Sequence, residues 1–203
     1  MQTFLSPNKA TKRNMDTYRK FVSTLATAHS NRVFLNSDKE HALIVLIELF
    51  KNAKSKLRIF AGSLCHHVGN TSEYVEALSD FIERGGSVDI LLNNFDIDGA
   101  KRSNLFKRLA YYVSEGKPIN VKTTTVKPYL ANDTEKKPIH FTIGDESSYR
   151  IETNTEERTA ECNFNNPVVA RNTAEFFDEL FNLTESVTIN LTELFNIEED
   201  DAK

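Results

Sequence analysis

Several signatures of enzyme chemistry are missing from this chain of 203 residues. It has no Gly-x-Gly-x-x-Gly, no Walker phosphate loop, no His-Glu-x-x-His and no Cys-x-x-Cys. These absences argue against a dinucleotide enzyme, a P-loop enzyme and the common zinc motifs, and no cofactor or metal is expected. No run approaches 18 consecutive apolar residues, so no membrane-spanning helix and no membrane partner are expected. The N-terminal MQTFLSPNKATKRN lacks the apolar core of a signal peptide. Cysteine is scarce: Cys65 and Cys162 lie far apart and read as free thiols, which together with the missing signal makes a cytoplasmic location the expectation. Apolar residues make up only 39% of the chain, a little low, which suggests polar tails around one ordinary domain. There is no internal repeat, and the only biased segment is Glu198-Glu199-Asp200-Asp201.

What is present is a charge asymmetry. Residues 1–137 carry 21 Lys and Arg against 14 Asp and Glu, whereas residues 138–203 carry 4 against 15. A basic body followed by an acidic end could bind a polyanion on one face and dock its own tail, or a partner, on another; charge dispersed for solubility is the plainer account.

Periodicity organises the rest into alternating helices and strands. Residues 1–14 read as a loose arm, Met15–His29 as a helix through Tyr18, Phe21, Val22 and Leu25, and residues 30–36 as a connector. Ser37–Ala53 reads as a largely buried helix opened by a Ser37/Glu40 capping box. Strands are expected at Leu57–Leu64, Val88–Leu92 and Ile119–Val126. Helices are expected at Thr71–Arg84, stopped by Gly85-Gly86, and at Asp98–Val113. A hairpin of Ile139–Ile143 and Ser148–Ile151 turns at Gly144-Asp145-Glu146. A last long helix starts at Asn166-Pro167, with Asn as cap and Pro in the first turn. This order predicts an α/β fold, a mixed sheet sandwiched between helices.

Chemistry concentrates in Pro138–Asn163, PIHFTIGDESSYRIETNTEERTAECN. His140 sits on an alternating strand, Asp145 follows, Arg150 and Glu152 share one face of the returning strand, and Glu161 and Asn163 precede the helix. Upstream, His66 within Cys65-His66-His67 and Asn94 within Asn93-Asn94-Phe95-Asp96 each follow a strand, at the rim where an α/β sheet presents its ligands. Adjacent residues on an extended chain point apart, so Cys65, His66 and His67 are read as a polar loop and not as a metal site.

This arrangement resembles the phospholipase D superfamily over roughly residues 37–184. In that family a strand bears His-x-Lys, an Asp follows before a turn, a second strand returns, and a small-residue segment ending in Asn leads into a helix. The resemblance implies a nucleophilic His that forms a phosphohistidine, a Lys and an Asn that hold phosphate oxygens, no metal, and a site completed across a homodimer when only one motif copy is present. His140 and Asn163 match, as candidate catalytic residues. Thr142 stands at the Lys position, Asp145 arrives two residues early, and Ala160-Glu161 replaces Gly-Ser. A carboxylate ~4 Å from a phosphate at an effective dielectric near 20 costs about 4 kcal/mol, so Glu161 would oppose such a ligand.

The leading expectation is therefore a catalytically degenerate phospholipase D-like domain acting as a ligand-binding, sensor or interaction module. Its binding residues would be Thr142, Asp145, Arg150, Glu152, Glu161, His66 and Asn94. The plain alternative for His140 is a half-buried strand histidine bonded to Glu161 or Glu152. Two other functions stay open: a homodimeric, metal-independent phosphodiesterase or nuclease using His140, and a protein–protein adaptor working through the acidic C-terminal tail. Nucleic-acid binding by the basic helix around Lys101–Arg108 is the less favoured use of the surface. The expected organisation is an N-terminal arm and helix at 1–36, the α/β domain at 37–184 and the tail at 185–203.

Overall fold

The computed structural model describes residues 7–130 and 134–197. Its centre is a strand order that the sequence does not follow: β1-β7-β6-β5-β2-β3-β4-β8 in one eight-stranded sheet. The strands are β1 (Phe34–Asn36), β2 (Lys56–Ala61), β3 (Ser87–Leu92), β4 (Ile119–Thr123), β5 (His140–Gly144), β6 (Ser148–Asn154), β7 (Thr159–Asn163) and β8 (Val187–Thr188). Parallel pairing joins β2, β3 and β4; all the other pairs are antiparallel. The parallel half is built from strand–helix–strand units, whose crossovers need a helix. These helices are α3 (Ser72–Glu83), α4 (Ile97–Arg102) and α5 (Asn104–Ser114), while α2 (Asp38–Asn52) leads from β1 into β2. A long helix α1 (Pro7–Thr27) packs beside α2, and α6 (Pro167–Phe181) covers the opposite face.

Two cores follow from the period-two alternation of the strands. Leu57, Ile59, Val88, Ile90 and Leu92 face α1, α2, α3 and α5 in the larger core. Phe60, Leu91, Phe141, Ile143 and Tyr149 face Ala170, Ala174 and Phe177 of α6. The sandwich of helix, sheet and helix expected from the alternation is therefore present. Arg58, 6% exposed, clamps α6 to the sheet: its Nε and Nη2 donate to the two Asp178 carboxylate oxygens at 2.8 and 2.7 Å.

Local rules hold at several ends. Thr71 Oγ1 accepts the Tyr74 N–H, and Asn166 Oδ1 accepts the Val169 N–H with Pro167 in the first turn, as those residue types at those positions suggest. Elsewhere tertiary contacts intervene. Ser37 makes no side-chain cap; Asp38, at φ 67°, turns the chain so that its own carboxylate accepts the His41 N–H, and its N–H donates to the Glu157 carbonyl. The helix expected at 98–113 is two helices, broken at Ser103, which is 1% exposed. Asn70 Oδ1 accepts from the Ser103 hydroxyl and from the Asn104 and Leu105 N–H groups, so an outside side chain caps α5 and makes the break favourable. The expected arm is helical from Pro7, the connector before Ser37 contains β1, and Thr159–Asn163 is a full strand.

The chain from Val187 to Ile197, placed in the expected tail, packs against the sheet and α5. β8 pairs with β4, and helix α7 (Leu191–Leu194) packs on α5 with Leu191 buried. The acidic residues Glu198–Asp201, on which the adaptor reading rests, lie outside the described residues, as do residues 1–6. Among the described residues no helix is long and apolar enough to cross a membrane.

Asp145 shows how the two halves of the sheet are held. Its carboxylate accepts the backbone N–H groups of Lys54, Ser55 and Lys56 and the Ser55 hydroxyl, the latter three at 2.8–2.9 Å. Burial pushes its pKa up, but these donors outweigh it and hold the carboxyl below the usual carboxylate range. We expect Asp145→Ala to cost about 2–3 kcal/mol at pH 7, since several donors lose a charged acceptor at once. A depressed pKa means that this stabilisation is complete above the unfolded-state value of ~3.9 and is lost as the pH falls through the lower folded-state value. Urea denaturation of wild type and variant at pH 7 and in acid checks this; a gap that does not narrow in acid contradicts it.

Candidate functional site

A cavity of about 250 Å³ opens beside the N-terminal end of β5. That end of β5 lies next to the C-terminal ends of β2 and β3, where the chain leaves the sheet toward His66 and Asn94. The cavity lies on the α2 face, with Ala42, Leu46 and Ile59 among its walls. Strand alternation decides which polar groups reach it. His140 and Thr142 on β5, and Arg150 and Glu152 on β6, occupy alternate positions in paired register, His140 opposite Glu152 and Thr142 opposite Arg150. All four line the cavity, and so do His66 and Asn94.

The centre of the site is Glu152, whose side chain is 3% exposed. One oxygen lies 3.2 Å from Arg150 Nη2; the other lies 3.5 Å from His140 Nδ1 and 3.7 Å from Arg158 Nη1. Burial raises the Glu152 pKa, but the contact with His140 and the charges of Arg150 and Arg158 overcome it, and the carboxyl titrates below its ordinary range. A carboxylate facing Nδ1 favours a proton there and leaves the lone pair on Nε2. The outer edge of the ring faces Gly62: a Cβ there would stand 3.6 Å from Cε1 and 3.9 Å from Nε2.

Arg150 is held through Nε and Nη2. Its Nε donates to Asn36 Oδ1 at 3.0 Å, and its Nη2 donates to Glu152 and, at 3.2 Å, to the Arg158 carbonyl. Asn36 Nδ2 also donates to that carbonyl, at 2.8 Å. Cys162, buried behind Arg150 with Sγ 3.4 Å from Asn36, has its thiol pushed up to about 12 by burial, so it is no nucleophile.

The register sends three of the expected residues elsewhere. Glu161 pairs with Ile151 and Asn163 with Tyr149, so both face α6, on the opposite side of the sheet from His140. Glu161 accepts from the Tyr149 hydroxyl at 2.6 Å, and Asn163 Oδ1 accepts the Asn165 N–H at 2.8 Å at the entry to α6. The repulsion expected between Glu161 and a ligand beside His140 therefore does not arise. Asp145 holds the hairpin at the far end of β5. Among Cys65, His66 and His67, the cysteine is buried with Sγ 3.2 Å from the Ser63 carbonyl, whereas His66 reaches outward to Asp96 at 3.6 Å.

Arg158 is a cavity residue that the sequence pattern does not single out. Reading Thr159–Asn163 as a strand would have placed Arg158 at its start, two residues before Ala160, which pairs with Glu152. The signal was the alternation of Ala160 and Cys162 with Glu161 and Asn163.

No family model matches the sequence, and neither does any curated protein. Solved structures do match. The phospholipase D family member Nuc from Salmonella typhimurium aligns at TM-score 0.54 and 17% identity over 78% of this chain and 97% of its own. The chain has a phospholipase D-like fold. NucT from Helicobacter pylori aligns at TM-score 0.51 and 14% identity, over 78% of this chain and 99% of that one. TrmBL2, an archaeal chromatin protein, aligns at TM-score 0.57 and 12% identity, over 90% of this chain and 65% of its own. The phospholipase D-like scaffold here thus carries a histidine and a carboxylate at a cavity, a threonine two residues after the histidine, and its strand-end asparagine on the far face.

Removing the carboxylate should be costly. We expect Glu152→Gln to destabilise the fold by about 3 kcal/mol or more, because Arg150 would be left buried and unpaired. Adding Arg150→Met should recover part of that loss. Urea denaturation of both variants tests this; a double variant no more stable than the single one contradicts it.

Proposed function

We propose that this chain is a phospholipase D-like ligand-binding domain that does not turn over phosphodiesters, a sensor or interaction module built on the scaffold of a hydrolase. One observation carries this reading: His140 faces a cavity, yet Thr142 stands where a cation would be needed and Asn163 points to the other side of the sheet. Transfer of a phosphoryl group relies on positive groups placed where charge develops, and a neutral hydroxyl gives up most of that stabilisation. The fold does not oblige catalysis, since a scaffold hosts many functions; it is shared by TrmBL2, a chromatin protein that binds DNA, as well as by Nuc. At about 250 Å³ the cavity is just under the roughly 300–1,000 Å³ usual for small-molecule sites, a size suited to a headgroup or fragment.

The contact between Glu152 and His140 favours a second reading. A carboxylate on Nδ1 is also how an imidazole is prepared to attack through Nε2, with a homodimer supplying the leaving-group acid. The two readings separate in one assay. Bis(p-nitrophenyl) phosphate is offered with EDTA present. The binding reading expects no release of nitrophenolate by the wild-type chain, and some release after Thr142→Lys restores a cation two residues from His140. Release by the wild type that His140→Ala abolishes establishes the phosphodiesterase instead.

A further inference from the structure

The two arginines around Glu152 differ in one respect: Arg150 is committed and Arg158 is not. Arg150 spends its donors on Asn36, Glu152 and a carbonyl, and its side chain is 6% exposed. Arg158 touches Glu152 only through an ionic contact of 3.7 Å, beyond hydrogen-bond range, and its side chain is 36% exposed. Its backbone, by contrast, is pinned. The Arg158 carbonyl accepts from Asn36 and Arg150, and the residue is held at φ 58°, in the left-handed region. Asn154 Oδ1 accepts the Glu156 and Glu157 N–H groups, and the Glu157 carbonyl accepts the Asp38 N–H, so the turn that carries Arg158 is tied to the start of α2. A guanidinium on a fixed anchor, at the edge of a cavity and without a hydrogen bond to its counter-ion, has donors left for a ligand.

We propose that Arg158 is the anion clamp of the cavity, a cation contributed by the β6–β7 turn that leaves Glu152 to bind a singly charged oxyanion placed against His140. This rests on the binding reading above and names the ligand chemistry of the same site. Charge counting limits the ligand. With His140 neutral, Arg150 and Arg158 against Glu152 leave one net positive charge, which a single negative charge neutralises. A dianion would leave one negative charge uncompensated beside a buried carboxylate. A carboxylate and a phosphodiester share the required chemistry, both being planar or tetrahedral oxyanions of one charge that accept a fork of N–H donors.

The full chain is titrated by NMR at pH 8 with dimethyl phosphate, acetate and methyl phosphate. The reporter is the imidazole Cε1–H resonance that disappears in His140→Ala. The proposal expects at least one of the two monoanions to move that resonance saturably, and the tighter of them identifies the ligand class. It expects methyl phosphate, a dianion at this pH, to bind several-fold more weakly than dimethyl phosphate. Arg158→Ala should raise the dissociation constant tenfold or more, and Arg158→Lys, which keeps the charge on the same anchor, should recover most of it. An unchanged affinity in Arg158→Ala, or tighter binding of methyl phosphate, overturns the clamp while leaving the binding reading in place. If no probe moves the His140 resonance of the wild type, the binding reading falls with it.

Discussion

Glu152 is the group on which the arrangement of the site depends. A carboxylate taken out of water loses several kcal/mol of solvation, and the loss is tolerable only if compensating charges and donors are fixed around it. Here three groups from two strands and a turn supply them: His140, Arg150 and Arg158. The two arginines are in turn placed by something further out. Asn36, on a strand more than 100 residues earlier in sequence, accepts from Arg150 and donates to the carbonyl that positions Arg158. The polar cluster behind the cavity is therefore a connected network, in which the edge strand, the hairpin and the turn are mutually located by a few buried hydrogen bonds.

On the proposed binding reading, this network would separate the scaffold from the chemistry it supports. The sheet brings the N-terminal end of β5 beside the rim formed by β2 and β3, and that topology puts His140 at the cavity. On that reading, the cations next to the imidazole decide between holding a ligand and splitting one. Thr142 removes one from the strand, and Arg158 sets another on a turn, held near a carboxylate. A cation already engaged by a counter-ion is a weaker electrostatic stabiliser of developing negative charge than one aimed at the reacting group.

The rest of the molecule is held by more ordinary devices placed away from the cavity. Asp145 binds three successive backbone N–H groups where the chain enters β2, Arg58 clamps α6 through Asp178, and Asn70 caps α5 from outside. These are polar contacts between elements distant in sequence, and they set the geometry of two apolar cores that hydrophobic burial alone would leave loosely specified.

Much of this protein could be read directly from its residues. The order of the main helices and strands from Asp38 to Asn154, the hairpin around Gly144-Asp145, the cap at Asn166, and the shared face of Arg150 and Glu152 all follow from local periodicity and capping chemistry, which depend on neighbours within a few positions. The break at Ser103 and the uncapped Ser37 could not be read, because side chains and carbonyls from distant segments supply the decisive hydrogen bonds. Nor could the sides taken by Glu161 and Asn163, which depend on how β7 registers against β6: in a strand, one residue of register exchanges the two faces. Arg158 escaped for the same reason, since its worth lies in a carbonyl held by Asn36 and a guanidinium held near Glu152. Local sequence determined which groups were available and how they alternate; only the long-range pairing of strands decided which of them meet.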